Sequence, residues 1–103
     1  MIPQVADKLD VIAGICLRRN VSRLELFGSA ADDSFDPETS DIDLLVEFAP
    51  MPPSEYVESY FGLQEGLQEV LGIPVDLVER QPIRNPYFLE SIDRNKELLY
   101  AAA

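Results

Sequence analysis

Three aspartates in this sequence have neighbours typical of buried strands. Asp41 and Asp43 open the segment DIDLLVEF, and Asp76 lies within PVDLVE. Burying a carboxylate is costly unless its charge is compensated. If the three side chains converge, each pair about 4 Å apart would repel by roughly 4 kcal/mol at an effective dielectric constant of about 20. Because no nearby Lys or Arg in the sequence offsets this repulsion, the pattern indicates a divalent cation.

The available ligand types narrow the choice of cation. The chain has no His, and its one cysteine, Cys16, falls among the apolar positions of a predicted helix, which favours a buried role over a reactive one. Oxygen ligands alone favour magnesium or manganese over zinc. Magnesium sites commonly include phosphate. Gly28-Ser29, a turn after a predicted strand, would present backbone N–H groups and a hydroxyl to such a group.

Each of these motifs also has a purely structural interpretation. A Gly-Ser pair after a strand is often only a turn, and an Asp-x-Asp pair can cap the start of a strand. Asp76 alone could equally be an acid at a strand edge. The combination, in this order and on these predicted elements, is more specific than any of its parts.

Hydrophobic periodicity predicts the elements that would carry these residues. They are a helix from Pro3 to about Arg19, a strand over Ser22–Phe27, a helical turn and open loop over Ala30–Ser40, a strand over Asp41–Phe48, a helix from the prolines at 50–53 to Gly72, a strand over Val75–Glu79 and a helix opened by Asn85-Pro86. The tail, Leu98–Ala103, has no assignment. This order predicts a small mixed β-sheet covered by helices, of the α/β (α+β) class, in a single domain over 1–103.

Alternation within the segment DIDLLVEF places its side chains on two faces. Ile42 and Leu44 begin one face, while Asp41 and Asp43 begin the other. Two acids therefore share one face near the start of the predicted strand.

The long predicted helix contains aromatic residues and glycines. Tyr56, Tyr60 and Phe61 could form a nucleobase or partner surface, but their helical spacing favours the core. Gly62 and Gly66 are expected to weaken this helix.

The charge balance bears on the partners of the chain. Eight Lys and Arg stand against nineteen Asp and Glu, a net charge of −11. No run of basic residues could neutralise the phosphates of a polymer, so direct nucleic-acid binding is not expected. The acidity would suit a basic protein partner, although excess acid in a small domain is often only solvated. The sequence shows neither a signal-peptide core nor an apolar run of ~18 residues, which favours the cytoplasm and no membrane.

Taken together, the motifs resemble a known family. The segments LFGSAADDSFDPETSDIDLLVEF and IPVDLVE are similar to the minimal nucleotidyltransferases of the polymerase-β-like superfamily, and the resemblance covers nearly the whole chain. The later segment RNPYFLESIDRNKELLYAA resembles the ending of members that are encoded beside a HEPN-domain toxin. The chain is therefore similar to the minimal nucleotidyltransferase (MNT) antitoxins of HEPN/MNT toxin–antitoxin pairs.

This resemblance implies the polymerase-β-like nucleotidyltransferase fold and a reaction. The reaction is a two-metal transfer of AMP from ATP to a hydroxyl, which in antitoxins of this kind is a tyrosine of the HEPN toxin. The resemblance implies that Asp41, Asp43 and Asp76 hold two Mg²⁺ ions and that Asp76 also helps to deprotonate the acceptor. Gly28 and Ser29 would bind the β- and γ-phosphates. A homo- or hetero-oligomer is compatible with this assignment.

One departure from the family pattern concerns the Gly28-Ser29 turn, here called the phosphate turn. Many relatives carry Arg just after Gly-Ser, whereas this sequence continues with AADD. Arg23, Arg80 or Arg84 could supply the missing charge from elsewhere. Two alternatives stay open: an antitoxin that neutralises a basic RNase toxin by binding alone, and a transferase acting on an antibiotic hydroxyl, which would normally need an added domain.

Overall fold

A four-stranded mixed sheet organises the chain in this computed structural model, which describes residues 1–31, 34–36, 38–79 and 85–102, apart from the side chain of Ser91. The strands are β1 (Val21–Phe27), β2 (Ile42–Phe48), β3 (Val75–Glu79) and β4 (Glu97–Ala101). The helices are α1 (Pro3–Ala6), α2 (Leu9–Arg18), α3 (Pro53–Leu71) and α4 (Pro86–Asn95). A short 3-10 helix, Gly28–Ala30, follows β1.

The strands lie in the order β3-β2-β1-β4. β2 and β3 are parallel, and the other two neighbouring pairs are antiparallel. The parallel pair is joined through α3, because parallel neighbours need a crossover connection. The predicted mixed sheet covered by helices is confirmed.

The main core lies between one face of the sheet and the helices α2 and α3. Its fully buried members include Ile12, Cys16, Leu24, Leu26, Ile42, Leu44, Leu63 and Leu67. A smaller cluster on the other face joins Phe27 and Leu45 to Ile92 of α4. The alternation predicted for β2 is confirmed, because Leu44 and Leu45 enter different clusters.

Two expectations from the sequence concern the helices. Cys16 is fully buried in α2, as predicted, and burial raises the pKa of its thiol to about 12. Within the described ranges, no helix is long and apolar enough to cross a membrane.

β4 has no counterpart among the predicted elements, because the tail is unassigned from sequence. The register between β1 and β4 shifts between Leu24 and Glu25. Leu99 and Tyr100, which are neighbours in sequence, both pack against the main core. This irregularity removes the strict alternation by which a strand is recognised in a sequence.

The continuous first helix predicted from the sequence is wrong in its middle, since the chain breaks between α1 and α2 at Asp7-Lys8. The chain around α1 is tied to the turn after β1, where the Ile2 N–H donates to the Ala30 carbonyl oxygen (3.2 Å). α2 instead packs against α3 and the sheet. The two helices therefore contact different parts of the fold, and hydrophobic periodicity alone does not predict this difference.

α3 ends as predicted at Gly72, which caps it with a φ of +68°. Gly62 and Gly66, which are predicted to weaken α3, face α2. A Cβ on Gly62 would overlap the guanidinium of Arg19, and one on Gly66 would lie 3.4 Å from the nearest atom of Ile15. The two glycines therefore lie at the contact between α2 and α3, a location that the sequence prediction did not include.

One side of α3 covers the outer edge of β3. Side chains spaced four residues apart make the contacts: Gln68 Oε1 accepts from the Val75 N–H (3.0 Å), Gln64 Nε2 donates to the Val75 carbonyl (2.9 Å), Tyr60 Oη donates to the Leu77 carbonyl (2.8 Å) and Tyr56 Oη donates to Glu79 Oε1. Open backbone groups at a sheet edge invite pairing with another strand. These contacts cover part of that edge and fix the strand that carries Asp76.

The aromatic residues of α3 differ in burial. Tyr60 is half-buried and packs against the main core, which agrees with the prediction, and Tyr56 is also half-buried. Phe61 is 55% exposed, so the core prediction is wrong for this residue. Successive helical residues point about 100° apart, so Phe61 cannot share the buried direction of Tyr60.

The hydrogen bond from Val75 to Gln68 should contribute measurably to stability. We expect Gln68→Ala to lower the free energy of unfolding by about 1 kcal/mol, because the Val75 N–H loses its acceptor at a covered edge. Chemical denaturation measures the change. The matched control is Glu69→Ala, the next and exposed position of α3, with an expected effect within about 0.5 kcal/mol. Equal effects of the two substitutions would contradict the role given to Gln68.

Candidate active site

The register of the sheet brings the end of β1 to the beginnings of β2 and β3. Phe27 is the Cα partner of Asp43, and Asp43 is the Cα partner of Asp76. Neighbouring strands lie roughly 4.8 Å apart, so these two aspartates are direct neighbours. Asp41 lies exposed, immediately before β2. The three acids singled out in the sequence therefore meet at one end of the sheet.

The turn after β1 closes against Asp43. Gly28 has a φ of +71° and begins the 3-10 helix, and Ser29 is its next, half-buried residue. A Cβ on Gly28 would overlap Asp43 Oδ2. Glycine is therefore required twice here, for the left-handed backbone conformation and for the close approach to a carboxylate. The structure therefore places the Gly28-Ser29 turn directly beside Asp43.

Asp43 lies at the centre of the acidic group. Burial raises the pKa of its carboxyl above the ordinary value, and the charges of Asp76 and then Asp41 raise it further. Asp43 is half-buried, whereas Asp41 and Asp76 are exposed. The acid with the raised pKa is thus the one that lies against the Gly28 backbone.

The donor set fits a magnesium ion better than a softer metal. The acids offer only carboxylate oxygens, the chain has no His, and Cys16 is buried away from the site. Among the residues that the structure describes, no three His, Cys, Asp or Glu side chains are already arranged around a single metal position. A cation held here would complete its coordination with side-chain adjustment, water and substrate phosphate, as Mg²⁺ commonly does at nucleotide sites.

Arg23, one suggested source of positive charge for the phosphate turn, is engaged elsewhere. Its Nε lies 3.3 Å from Glu25 Oε1, and Lys96 Nζ lies 3.3 Å from Glu25 Oε2. Arg23 also lies four residues along β1 from the row of acids, roughly 13 Å away. The other two suggestions, Arg80 and Arg84, fall outside the described residues.

An aromatic contact beside the acids is absent from the sequence prediction. Phe27 meets Phe88 of α4 edge-on, with ring centroids 6.4 Å apart. α4 begins there because Asn85 Oδ1 accepts from the N–H groups of Tyr87 (2.9 Å) and Phe88 (3.3 Å), as the N-cap prediction requires. Alternation along β1 already places Phe27 on the face opposite Leu26, but only the strand pairing brings it beside Asp43.

The chain also matches a known family by sequence. The match to the family described as "Nucleotidyltransferase domain" covers residues 9–99, which include the Gly-Ser turn and all three acids. The chain belongs to this nucleotidyltransferase family. The family predicted from the motifs is therefore confirmed.

Relatives of this nucleotidyltransferase occur in Methanocaldococcus jannaschii. Two of them are each named "putative protein adenylyltransferase". One is 42% identical over 80 residues and the other 40% identical over 80 residues, and each match covers 78% of this chain and 76% of the relative.

Solved structures share the fold of this nucleotidyltransferase. A "putative minimal nucleotidyltransferase" has a TM-score of 0.72 and 27% identity, with 89% of each chain covered. An MNT antitoxin in complex with a tri-AMPylated HEPN toxin of Shewanella oneidensis has a TM-score of 0.64 and 18% identity, covering 95% of this chain and 73% of that one. A toxin–antitoxin structure with AMP-PNP has a TM-score of 0.68 and 20% identity, covering 91% and 73%. At these identities the last two establish the fold alone, which confirms the predicted fold.

Gly28 and Gly72 share a left-handed backbone conformation, but only Gly28 lies close to a carboxylate. Comparing substitutions at the two glycines therefore separates the effect of the backbone conformation from that of the close approach. Gly28→Ala and Gly72→Ala each force a side chain into the left-handed region, at roughly 1–2 kcal/mol. A Cβ at Gly72 meets nothing within 4 Å, whereas one at Gly28 displaces the Asp43 carboxylate. We expect Gly28→Ala to cost more stability than Gly72→Ala by chemical denaturation, and to weaken Mg²⁺ binding in calorimetry, which Gly72→Ala should leave intact. Equal losses in both measurements would contradict the close approach.

Asp43 should destabilise the metal-free protein at neutral pH. Its folded pKa is raised above the unfolded value of about 3.9, so the folded state binds the proton more tightly than the unfolded state. Stability is therefore lost as pH rises from the unfolded pKa through the folded pKa. We expect Asp43→Asn to raise the Tm of the metal-free protein at pH 7 and to have a smaller effect near pH 4.

Magnesium should stabilise the unsubstituted protein more than Asp43→Asn, because the bound cation offsets the repulsion between the acids only when residue 43 carries a negative charge. Millimolar Mg²⁺ should therefore raise the Tm of the unsubstituted protein more than that of Asp43→Asn. Glu65→Gln on the exposed side of α3 is the charge-matched control and should follow the unsubstituted protein. A gain from Asp43→Asn that is largest at pH 4, or an equal magnesium response, would be inconsistent with this electrostatic assignment.

Proposed function

We propose that this nucleotidyltransferase transfers AMP from ATP to a tyrosine hydroxyl of a HEPN toxin and so acts as its antitoxin. The observation that carries the proposal is the pairing of Asp43 with Asp76, with the Gly28 backbone closed against Asp43. The relatives named as protein adenylyltransferases support AMP as the transferred group. The structural neighbour complexed with an AMPylated HEPN toxin supports the class of acceptor.

In the proposed reaction, the acceptor oxygen attacks the α-phosphorus of ATP. One oxygen–phosphorus bond forms, the bond from the α-phosphorus to the bridging oxygen of the β-phosphate breaks, and pyrophosphate leaves with that electron pair. The acceptor proton passes to the carboxylate of Asp76. Asp76 is exposed on β3, so the hydroxyl of a docked protein can reach it.

The three acids would hold Mg²⁺, which, when bound, neutralises phosphate charge and polarises the α-phosphate toward attack. Asp43 would be ionised in that state, because a nearby cation opposes the burial and repulsion that raise its pKa. The backbone at Gly28 would limit the positions open to the Asp43 carboxylate. The hydroxyl of Ser29 and the N–H groups of the turn would bind the β- and γ-phosphates and orient pyrophosphate for departure.

Neutralisation by binding alone is the second candidate function. It is favoured by the phosphate turn, in which Ala30 and Ala31 follow Gly28-Ser29, and by the engagement of Arg23 with Glu25. If the triphosphate bound only weakly, the protein would not catalyse AMP transfer, and its acidic surface would remain as the means of binding the toxin. A net charge of −11 would then attract a basic RNase toxin by long-range electrostatics.

Label transfer separates the two functions. The protein would be incubated with Mg²⁺, a purified HEPN toxin encoded beside it, and ATP labelled in either the α- or the γ-phosphate. We expect the toxin to retain the α label and not the γ label, and a toxin with the acceptor tyrosine replaced by Phe to retain neither.

The acids supply the internal controls for this assay. Asp41→Asn and Asp43→Asn should each lower label transfer by at least about a hundredfold, the scale of removing one electrostatic group from an active site. Glu65→Gln, an exposed charge on α3 away from the site, should transfer label normally. A stable complex with the toxin but no label transfer would eliminate the enzymatic proposal in favour of binding alone.

A further inference from the structure

Tyr87, in the first turn of α4, is the most exposed of the four tyrosines in the chain, at 80%. Tyr56 and Tyr60 are half-buried, and their hydroxyls donate to residues of β3. Tyr100 is half-buried and packs against the main core. None of the described residues hydrogen-bonds the hydroxyl of Tyr87. Tyr87 is therefore the tyrosine whose hydroxyl is open to a reaction partner.

α4 lies on the same face of the sheet as the acids. Asp43 is two residues from Leu45 in β2, so the two side chains point to one face. Leu45 packs there with Ile92 of α4. Phe27 and Asp76, the Cα partners of Asp43 on the neighbouring strands, share this face with it. The carboxylates and the helix that carries Tyr87 are thus on one side of the molecule.

The first turn of α4 is fixed beside the acids. Asn85 Oδ1 accepts from the N–H groups of Tyr87 (2.9 Å) and Phe88 (3.3 Å). The Phe88 ring meets Phe27, with centroids 6.4 Å apart, and Phe27 is the Cα partner of Asp43. Successive helical residues point about 100° apart, so Tyr87 projects away from this ring contact into solvent. Its hydroxyl is presented at the rim of the acidic site.

We propose that Tyr87 is itself an acceptor of AMP, so that the protein modifies its own chain as well as the toxin. The chemistry is that of the proposed function, on which this inference rests. The Tyr87 oxygen attacks the α-phosphorus of ATP and forms one oxygen–phosphorus bond. The bond from the α-phosphorus to the bridging oxygen of the β-phosphate breaks, and pyrophosphate leaves with that electron pair. The phenol proton passes to the Asp76 carboxylate.

Label transfer without the toxin tests this assignment. The protein would be incubated with Mg²⁺ and α-labelled ATP, and the modified peptide would be identified by mass spectrometry. We expect AMP on Tyr87 of the unsubstituted protein and no label in Tyr87→Phe. Tyr100→Phe is the matched control and should be labelled like the unsubstituted protein, because Tyr100 packs against the main core. AMP on another residue, or an equal loss of label in Tyr100→Phe, would overturn the proposal.

A parallel reaction with the toxin separates a failure of this inference from a failure of the proposed function. Label on the toxin but none on this chain overturns self-modification and leaves AMP transfer to the toxin standing. No label on either protein overturns both. Label on both proteins, with that on this chain lost in Tyr87→Phe, is the expected result.

A mixture of two variants then shows which copy supplies the acceptor. Asp43→Asn keeps Tyr87 but lacks the central acid, and Tyr87→Phe keeps the acids but lacks the acceptor. Label on the Asp43→Asn chain in the mixture assigns the reaction to transfer between copies. Label on the unsubstituted protein but on neither variant in the mixture assigns it to transfer within one chain. Both results support Tyr87 as the acceptor.

Discussion

The position of Asp43, beside Asp76 and against the turn after β1, is the constraint on which the candidate site depends. The register makes the two residues Cα partners, and the turn after β1 limits the space around Asp43. Asp43 is half-buried, and burial followed by the charges of Asp76 and Asp41 raises its pKa. A cation or a proton is the means by which such a site lowers its electrostatic energy.

The rest of the fold maintains this unfavourable arrangement. α3 connects β2 to β3 and also binds the outer edge of β3 through Tyr60, Gln64 and Gln68. α2 packs against α3 and the sheet, which closes the main core. Hydrophobic burial over this core supplies the free energy that holds the acids together, because the acids themselves oppose folding. The core on one face of the sheet thus stabilises the fold that holds the acids at its end.

Much of this arrangement could be predicted from the sequence, because the signals are local. Alternation in β2, the stop of α3 at Gly72 and the N-cap at Asn85 are each encoded within a few residues. The unpredicted features depend on contacts between distant segments. The register that pairs Asp43 with Asp76, the bulged pairing of β4 and the separation of α1 from α2 all follow from tertiary partners. The acids could be named from the sequence, but the central position of Asp43 required the sheet.

The acids lie beside the Gly28-Ser29 turn, which continues with Ala30 and Ala31 and not with a basic residue. Binding of Mn²⁺ measured by electron paramagnetic resonance, with and without a non-hydrolysable ATP analogue, tests directly whether they act together. Stoichiometric Mn²⁺ binding that tightens with the analogue and is lost in Asp43→Asn is the predicted result. Analogue binding that is indifferent to Mn²⁺, or Mn²⁺ binding that survives in Asp43→Asn, would contradict a metal-dependent nucleotidyltransferase site at these residues.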